Sequence, residues 1–217
     1  WLMPRLTSSP LMLGLLGFCQ FVPVTLLTLN AGVLVDRMDK RRLILITQTC
    51  ALAQAVTLAV VVTTGAVEPW MVLALALVFG VINAFDLPAR QSFLIEMVGK
   101  EDLSNAIALN SAAFNGARVI GPAIAGVLMA TVGEAGCFWV NALSYVGVLA
   151  GLLLMSPVGR NELRDGSASL RDGVRYGWSL QPVRNLLLLL AVAAGLGFQY
   201  MVLLPVYARD ILGTDAQ

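Results

Sequence analysis

Long stretches without a charged side chain are the feature that most constrains how this chain of 217 residues can fold. Five stretches of 17 to 30 uncharged residues occur, and a sixth, residues 103–133, has 31 residues with Arg118 as its one charge. An α-helix rises about 1.5 Å per residue, so about 20 apolar residues cross the roughly 30 Å hydrocarbon core of a membrane. The pattern predicts an all-α polytopic membrane bundle of about six complete helices, with spans at 10–35, 43–65, 69–86, 103–132, 135–156 and 183–207.

Composition supports this class and excludes several others. The chain is 58% hydrophobic and 12% charged, whereas ordinary soluble domains have about 45–50% and about 25%. It has no histidine, which excludes Ser-His-Asp catalysis and His-ligated zinc from this segment. A net charge of +1 gives no support for nucleic-acid binding. We therefore expect no enzyme activity, no metal, no cofactor and no nucleic-acid partner, and a lipid bilayer as the surroundings.

The distribution of basic residues predicts the orientation of the spans. Eleven Lys and Arg residues fall in loops on one side and two on the other, and the basic side is normally cytoplasmic. This places loops 36–42, 87–102 and 157–182 in the cytoplasm and the tight turns at 65–69 and 132–135 outside. Pro88 disfavours the helical conformation of Leu87, so we expect the third span to end or bend there.

The densest charge cluster, residues 32–42, joins the first two spans with the sequence Gly-Val-Leu-Val-Asp-Arg-Met-Asp-Lys-Arg-Arg. It resembles the signature between helices 2 and 3 of the major facilitator superfamily, with Asp39 where many members have glycine. By that resemblance, the loop holds the two halves of a transporter together on the cytoplasmic side and controls the inward–outward switch. Asp36 would then engage a helix end of the second half, with Arg37 and Arg41 in the same charge network. The predicted cytoplasmic gate comprises Gly32, Asp36, Arg37, Arg41, Asp86 and Arg90.

A second resemblance covers the chain essentially from end to end. The segments 83–91, 106–111 and 121–122 are similar to the drug- and siderophore-exporting branch of that superfamily. This implies a fragment from the end of helix 1 (residues 1–5) to helix 7 of a twelve-helix fold. The expected divisions are an N-terminal half at 1–156, a cytoplasmic linker with an amphipathic helix at 157–182, and the first helix of the second half at 183–217.

Polar residues inside the spans are candidates for a substrate or ion pathway. Asn115 and Arg118 share a helix face with Ser111 and Pro122, and a charge in mid-membrane requires partners. Arg118 could contact an anionic substrate group or acidic partner, or it could clamp helices through backbone carbonyls. The further candidates for a cavity are Gln20, Asn141 and Tyr145.

Gly121, Pro122 and Gly126 partly match a helix-5 packing motif of antiporters. Small residues there permit close helix packing.

These features together imply an exporter of small amphipathic molecules, drug-like or siderophore-like, that works by alternating access as a monomer with protons as the coupling ion. An importer or uniporter of the same fold, or a non-transporting membrane scaffold, are the alternatives. No Asp or Glu lies in the middle of a predicted span. A proton-carrying carboxylate would therefore lie in the missing first helix or second half, or else Asp86 would serve from a helix end.

Overall fold

The computed structural model describes residues 2–7, 9–99, 101–155, 175 and 178–197. The chain divides into two compact units, residues 1–165 and 166–217. The described residues of the first unit form five helices: α1 (Leu2–Leu6), α2 (Pro10–Arg37), α3 (Lys40–Thr63), α4 (Pro69–Val98) and α5 (Leu103–Leu154). The second unit contains α6 (Gln181–Gly197).

Helices α2 to α5 contain segments long and apolar enough to cross a membrane. At 52 residues α5 is about 78 Å long if straight, more than two membrane thicknesses, but it is interrupted at Gly133. Gly133 has φ 70° and ψ −178°, almost the conformation of Gly99 (φ 72°, ψ −176°), which ends α4. The predicted turn at 132–135 is therefore confirmed as a break at one glycine. It separates segment α5a (residues 103–132) from segment α5b (residues 134–154).

Most predicted spans lie within a few residues of the observed helices. Helix α3 begins at Lys40 rather than at 43 because the Asp39 side chain caps it, accepting a hydrogen bond of 3.0 Å from the Arg42 N–H. Helix α6 begins at Gln181, which puts Pro182 in its first turn. The predicted amphipathic helix and the end of the sixth span fall largely on 156–174, 176–177 and 198–217, outside the described residues.

The predicted loop at 87–102 is wrong for residues 87–98, which are helical. Helix α4 continues through Pro88 to Val98, although Pro88 has no N–H to donate to the Ala84 carbonyl. The reason is tertiary packing, because Ala89 and Phe93 lie in a buried apolar cluster with Leu43 and other neighbours. The turn between α4 and α5 is limited to residues 99–102.

The bundle is built on three helix contacts: α2 against α4, α3 against α4, and α3 against α5. Helices α2 and α4 approach closely at Gly80, where an added Cβ would collide with the backbone carbonyl of Gln20. A Cβ at Gly32, by contrast, would meet no described atom within 4 Å. Two apolar clusters fill the interior, one around Met3 and Val72 and one around Val35 and Phe93.

Segment α5b runs antiparallel to α3. The Trp139 Nε1–H donates to Thr63 Oγ1 over 3.1 Å at one end, and Leu152 packs beside Leu43 and Ile44 at the other. The two ends of α5b are therefore fixed to opposite ends of α3.

Segment α5a lies apart from this packing, since none of its residues is buried. Leu109, Phe114 and Val119 are 73%, 64% and 79% exposed.

Candidate functional site

The turn between α2 and α3 fixes its second half to two other helices. Asp39 caps α3, as described above. Lys40 Nζ, at the first position of α3, forms an ion pair of 2.8 Å with Glu96 Oε1 in the last turn of α4. Both side chains are largely buried, 12% and 26% exposed, so solvent screens this pair less than it would a surface pair.

Arg41 contacts the end of α5b. Its Nε and Nη2 donate to the Leu152 carbonyl over 3.1 and 2.7 Å, and Nη2 also donates to the Leu153 carbonyl over 3.1 Å. The resemblance implied that Arg41 shares a charge network with Asp36. The structure instead places its guanidinium on backbone carbonyls of a third helix.

The first half of the same turn is open. Asp36 and Arg37, in the last turn of α2, are both exposed. Within the part of the chain that the structure describes, neither side chain forms a hydrogen bond or an ion pair. The charge cluster thus divides into an anchored half, residues 39–41, and an open half, Asp36 and Arg37.

Asp86 is at the centre of a buried polar cluster between α3 and α4. It is 5% exposed. Its Oδ1 accepts hydrogen bonds from Thr47 Oγ1 (2.6 Å) and Gln48 Nε2 (2.9 Å), and its Oδ2 accepts one from Arg90 Nε (2.6 Å). These three donors satisfy both oxygens of the carboxylate, and the Arg90 charge balances it.

The position of Asp86 corrects one prediction. It is not at a helix end, because α4 continues for 12 residues beyond it. It lies 17 residues after Pro69, about 26 Å along the helix axis, near the cytoplasmic edge of a membrane about 30 Å thick. Tyr145 of α5b lies within electrostatic range of both Asp86 and Arg90.

Asp86 and Arg90 pair with each other rather than with the 32–42 cluster. The connection between the two cytoplasmic stretches is made instead by Lys40 and Glu96.

The predicted pathway residues lie on different helices and different faces. Asn115 and Arg118 are on the exposed surface of α5a, where Asn115 Nδ2 donates to the Ser111 carbonyl over 2.8 Å. Gln20 of α2 and Tyr145 of α5b are half-buried, whereas Asn141 is exposed.

The helix-5 motif is likewise on the open face of α5a. A Cβ at Gly121 or Gly126 would meet no described atom within 4 Å, and Pro122 lies inside a continuous helix.

Sequence reasoning missed several residues that build the site, namely Thr47, Gly80 and Glu96. The adjacent polar pair Thr47–Gln48, about two turns into an otherwise apolar span, is the signal that could have located the partners of Asp86. For Gly80 and Glu96 the sequence offers no comparable signal, because their partners are distant along the chain.

Comparison with known proteins gives one family match over the whole chain. The family described as transmembrane secretion effector matches residues 1–217. The staphyloferrin A transporter of Staphylococcus aureus is 28% identical over 214 residues, covering 97% of this chain and 54% of that protein. The multidrug efflux pump Tap of Mycolicibacterium fortuitum is 28% identical over 225 residues, covering 97% and 54%. Tap of Mycobacterium tuberculosis is 25% identical, covering 97% and 53%.

The chain spans about half the length of these curated relatives. No solved structure matches it.

Proposed function

This chain belongs to the transmembrane secretion effector family of the major facilitator superfamily, and from that premise we propose that its protein exports small amphipathic molecules by alternating access. The fold is all-helical, and the protein is a multi-pass protein of the bacterial cell membrane. What we propose beyond this is the direction of transport, the coupling ion and the class of substrate.

The observation that carries the proposal is the open half of the 32–42 cluster. Asp36 and Arg37 stand exposed at the end of α2 while the next residues, 39–41, are anchored to α3, α4 and α5b. A gate requires charged groups that can make and break contacts with a partner while their support stays in place. The proposed gate therefore comprises Asp36 and Arg37 as the contacting residues and Arg41 as part of their support, with Gly32, Asp86 and Arg90 in the surrounding helices.

The relatives support the substrate class. One is named as a staphyloferrin A transporter and others as multidrug efflux pumps, and both names denote small-molecule substrates. The proposed pathway residues are Arg118, Asn115, Gln20, Asn141 and Tyr145, of which Arg118 would contact an anionic group of the substrate. Gly121, Pro122 and Gly126 are proposed to allow close packing on the same face.

Proton antiport is the proposed coupling, and the Asp86 cluster bears on where the proton binds. A carrier must bind and release its proton during the cycle. The Asp86 carboxylate is fully hydrogen-bonded and paired with Arg90, an arrangement suited to holding α3 and α4 together. The proposal therefore assigns proton binding to a carboxylate other than Asp86.

The test uses the full-length protein in inverted membrane vesicles with an imposed pH gradient, acid inside. Two probes are followed, staphyloferrin A and ethidium. We expect accumulation of at least one probe that collapses with the gradient. Accumulation that ignores the gradient would exclude proton antiport. Gradient-driven movement in the opposite direction would indicate an importer, and no movement of either probe would contradict export.

Asp36→Asn tests the gate in the same vesicles. We expect the transport rate to fall at least about tenfold, which corresponds to about 1.4 kcal/mol. Asp102→Asn is the matched control, because Asp102 is also an exposed carboxylate at a helix end and its side chain forms no cap hydrogen bond. An unchanged rate in Asp36→Asn would contradict the gate role of Asp36 and indicate a gate elsewhere.

A further inference from the structure

The last turn of α5b is held at its carbonyl end by one arginine of α3. Arg41 donates to the carbonyls of Leu152 and Leu153 through three contacts of 2.7 to 3.1 Å. The last carbonyls of a helix have no N–H partner within the helix, and they form the negative end of its dipole. Arg41 supplies both the missing donors and a positive charge at that point.

Apolar packing holds the same turn from the other side. Leu152 is 9% exposed and lies in a cluster with Val35 of α2, Leu43 of α3 and Phe93 of α4. Residues of α2, α3 and α4 therefore share one apolar cluster with the last turn of α5b.

The held turn is close in sequence to the open half of the cluster. Arg37, at the end of α2, and Arg41, in the first turn of α3, are four residues apart, with the cap residue Asp39 between them. A displacement of Asp36 and Arg37 relative to the bundle reaches α3 through this short turn, and Arg41 is the first residue of α3 with a polar contact to α5b.

We propose that Arg41 is a positioning residue that couples the α2–α3 turn to the end of α5b, so that a rearrangement at Asp36 is transmitted to the last turn of that segment. The proposal rests on the gate role proposed for Asp36. The two roles differ in their partners. Asp36 is proposed to contact the second half of the transporter, whereas Arg41 contacts the end of α5b, a helix of its own unit.

Hydrogen exchange of the amides at 149–155 measures the coupling in the full-length protein in lipid nanodiscs. Arg41→Gln should speed exchange there about tenfold or more, because charged hydrogen bonds to the last carbonyls are lost. Arg41→Lys should give a smaller increase, since an ammonium group keeps the charge but cannot span two carbonyls as the guanidinium does.

Arg42→Gln is the matched control. Arg42 is the next residue and has the same charge, but its side chain is exposed and makes no hydrogen bond among the described residues. Exchange at 149–155 should be unchanged in this variant. An equal increase in Arg41→Gln and Arg42→Gln would overturn the proposal, because it would indicate a general effect of charge.

A purely structural role is distinguished by combining variants. Asp36→Asn should change exchange at 149–155 about threefold when Arg41 is present and not at all in the Arg41→Gln background. Arg41→Gln should also lower the maximal rate of ethidium export severalfold without changing the half-saturating concentration. Faster exchange with an intact response to Asp36→Asn and an unchanged export rate would overturn the coupling.

The two proposals fail separately. If the wild-type protein exports no ethidium or staphyloferrin A, the proposed function fails, and the exchange response to Asp36→Asn still decides whether Arg41 couples the turn to α5b.

Discussion

The two segments of α5 have similar apolar composition and opposite environments. Segment α5b is fixed at both ends to α3, through Trp139 at one end and Arg41 at the other, and it contains the buried residues Ala142 and Leu152. Segment α5a, on the other side of Gly133, contains no buried residue. Apolar composition therefore determines that a segment enters the membrane, whereas paired polar groups at its ends determine which helix it packs against.

The polar residues of the two segments differ in the same way. On α5b, Trp139 bonds to a side chain of another helix. On α5a, Asn115 bonds within its own helix, to the Ser111 carbonyl. Substitutions in the packed bundle should consequently reduce stability, and equivalent substitutions on α5a should not.

The largest expected effect is at Asp86, the centre of the packed region. Asp86→Ala should lower the free energy of unfolding by about 3 kcal/mol, because it leaves Arg90 without its counter-ion and Thr47 and Gln48 without their acceptor. Asp86→Asn should cost about half as much, since it keeps an acceptor for α3. Denaturant unfolding in detergent micelles measures both, with Asn115→Ala on α5a as the control. An equal loss of unfolding free energy in Asp86→Ala and Asn115→Ala would contradict the distinction between the packed bundle and the exposed segment α5a.

A glycine pair tests the division directly. Gly80→Ala should cost about 2 kcal/mol, because its Cβ would collide with the Gln20 carbonyl. Gly116→Ala places the same methyl group on α5a outside the proposed packing motif, where nothing lies within 4 Å, and should raise stability by about 0.5 kcal/mol through helix propensity. Thermal unfolding of the two variants side by side gives the comparison. A loss in Gly116→Ala as large as that in Gly80→Ala would show that this face of α5a is packed.

The break between the segments gives the next smaller effect. Gly133→Ala should cost about 1.5 kcal/mol, since φ 70° with ψ −178° is a region that other residues rarely adopt. Gly147→Ala is the control, being helical with no described atom within 4 Å of its added Cβ. The same unfolding experiment applies. If Gly133→Ala were as stable as the wild type, the break between α5a and α5b would not depend on this backbone conformation.

The smallest effect concerns the hydrogen bond between Trp139 of α5b and Thr63 of α3. Trp139→Phe removes the hydrogen bond to Thr63 and should cost about 0.6 kcal/mol, the average for hydrogen bonds between membrane helices. Thr63→Val removes the same bond from the other side, so the double variant should cost less than the two losses added together. Strict additivity in this double-mutant cycle would show that the contact contributes nothing.

The fold could be predicted from the sequence where it depends on local chemistry. The distance between charges places α2 at 10–35, and the observed helix is Pro10–Arg37. Asp39 caps α3 through the N–H of Arg42, three residues later, which is again a local contact. The continuation of α4 past Pro88 could not be predicted, because the burial of Ala89 and Phe93 by other helices decides it.

For the candidate site, the sequence located the charges but not their partners. Arg41 reaches Leu152, 111 residues away, and Asp86 reaches Thr47, 39 residues away. Only packing brings such pairs together, and the polar pair Thr47–Gln48 is the one local signal for either of them. The resemblance directed attention to Asp36 and Arg37, and the structure leaves those two exposed and open to a partner.

Because α4 continues beyond Pro88, a small tilt of this helix produces a large displacement at its C-terminal end. Its 30 residues span about 45 Å, half again the thickness of the hydrocarbon core. A tilt of about 10° about its outer end would sweep its cytoplasmic tip through about 8 Å, more than the pitch of one helical turn. Glu96 and Phe93 hold the α2–α3 turn near that tip, so a small rotation within the membrane becomes a large excursion at the charged cytoplasmic surface.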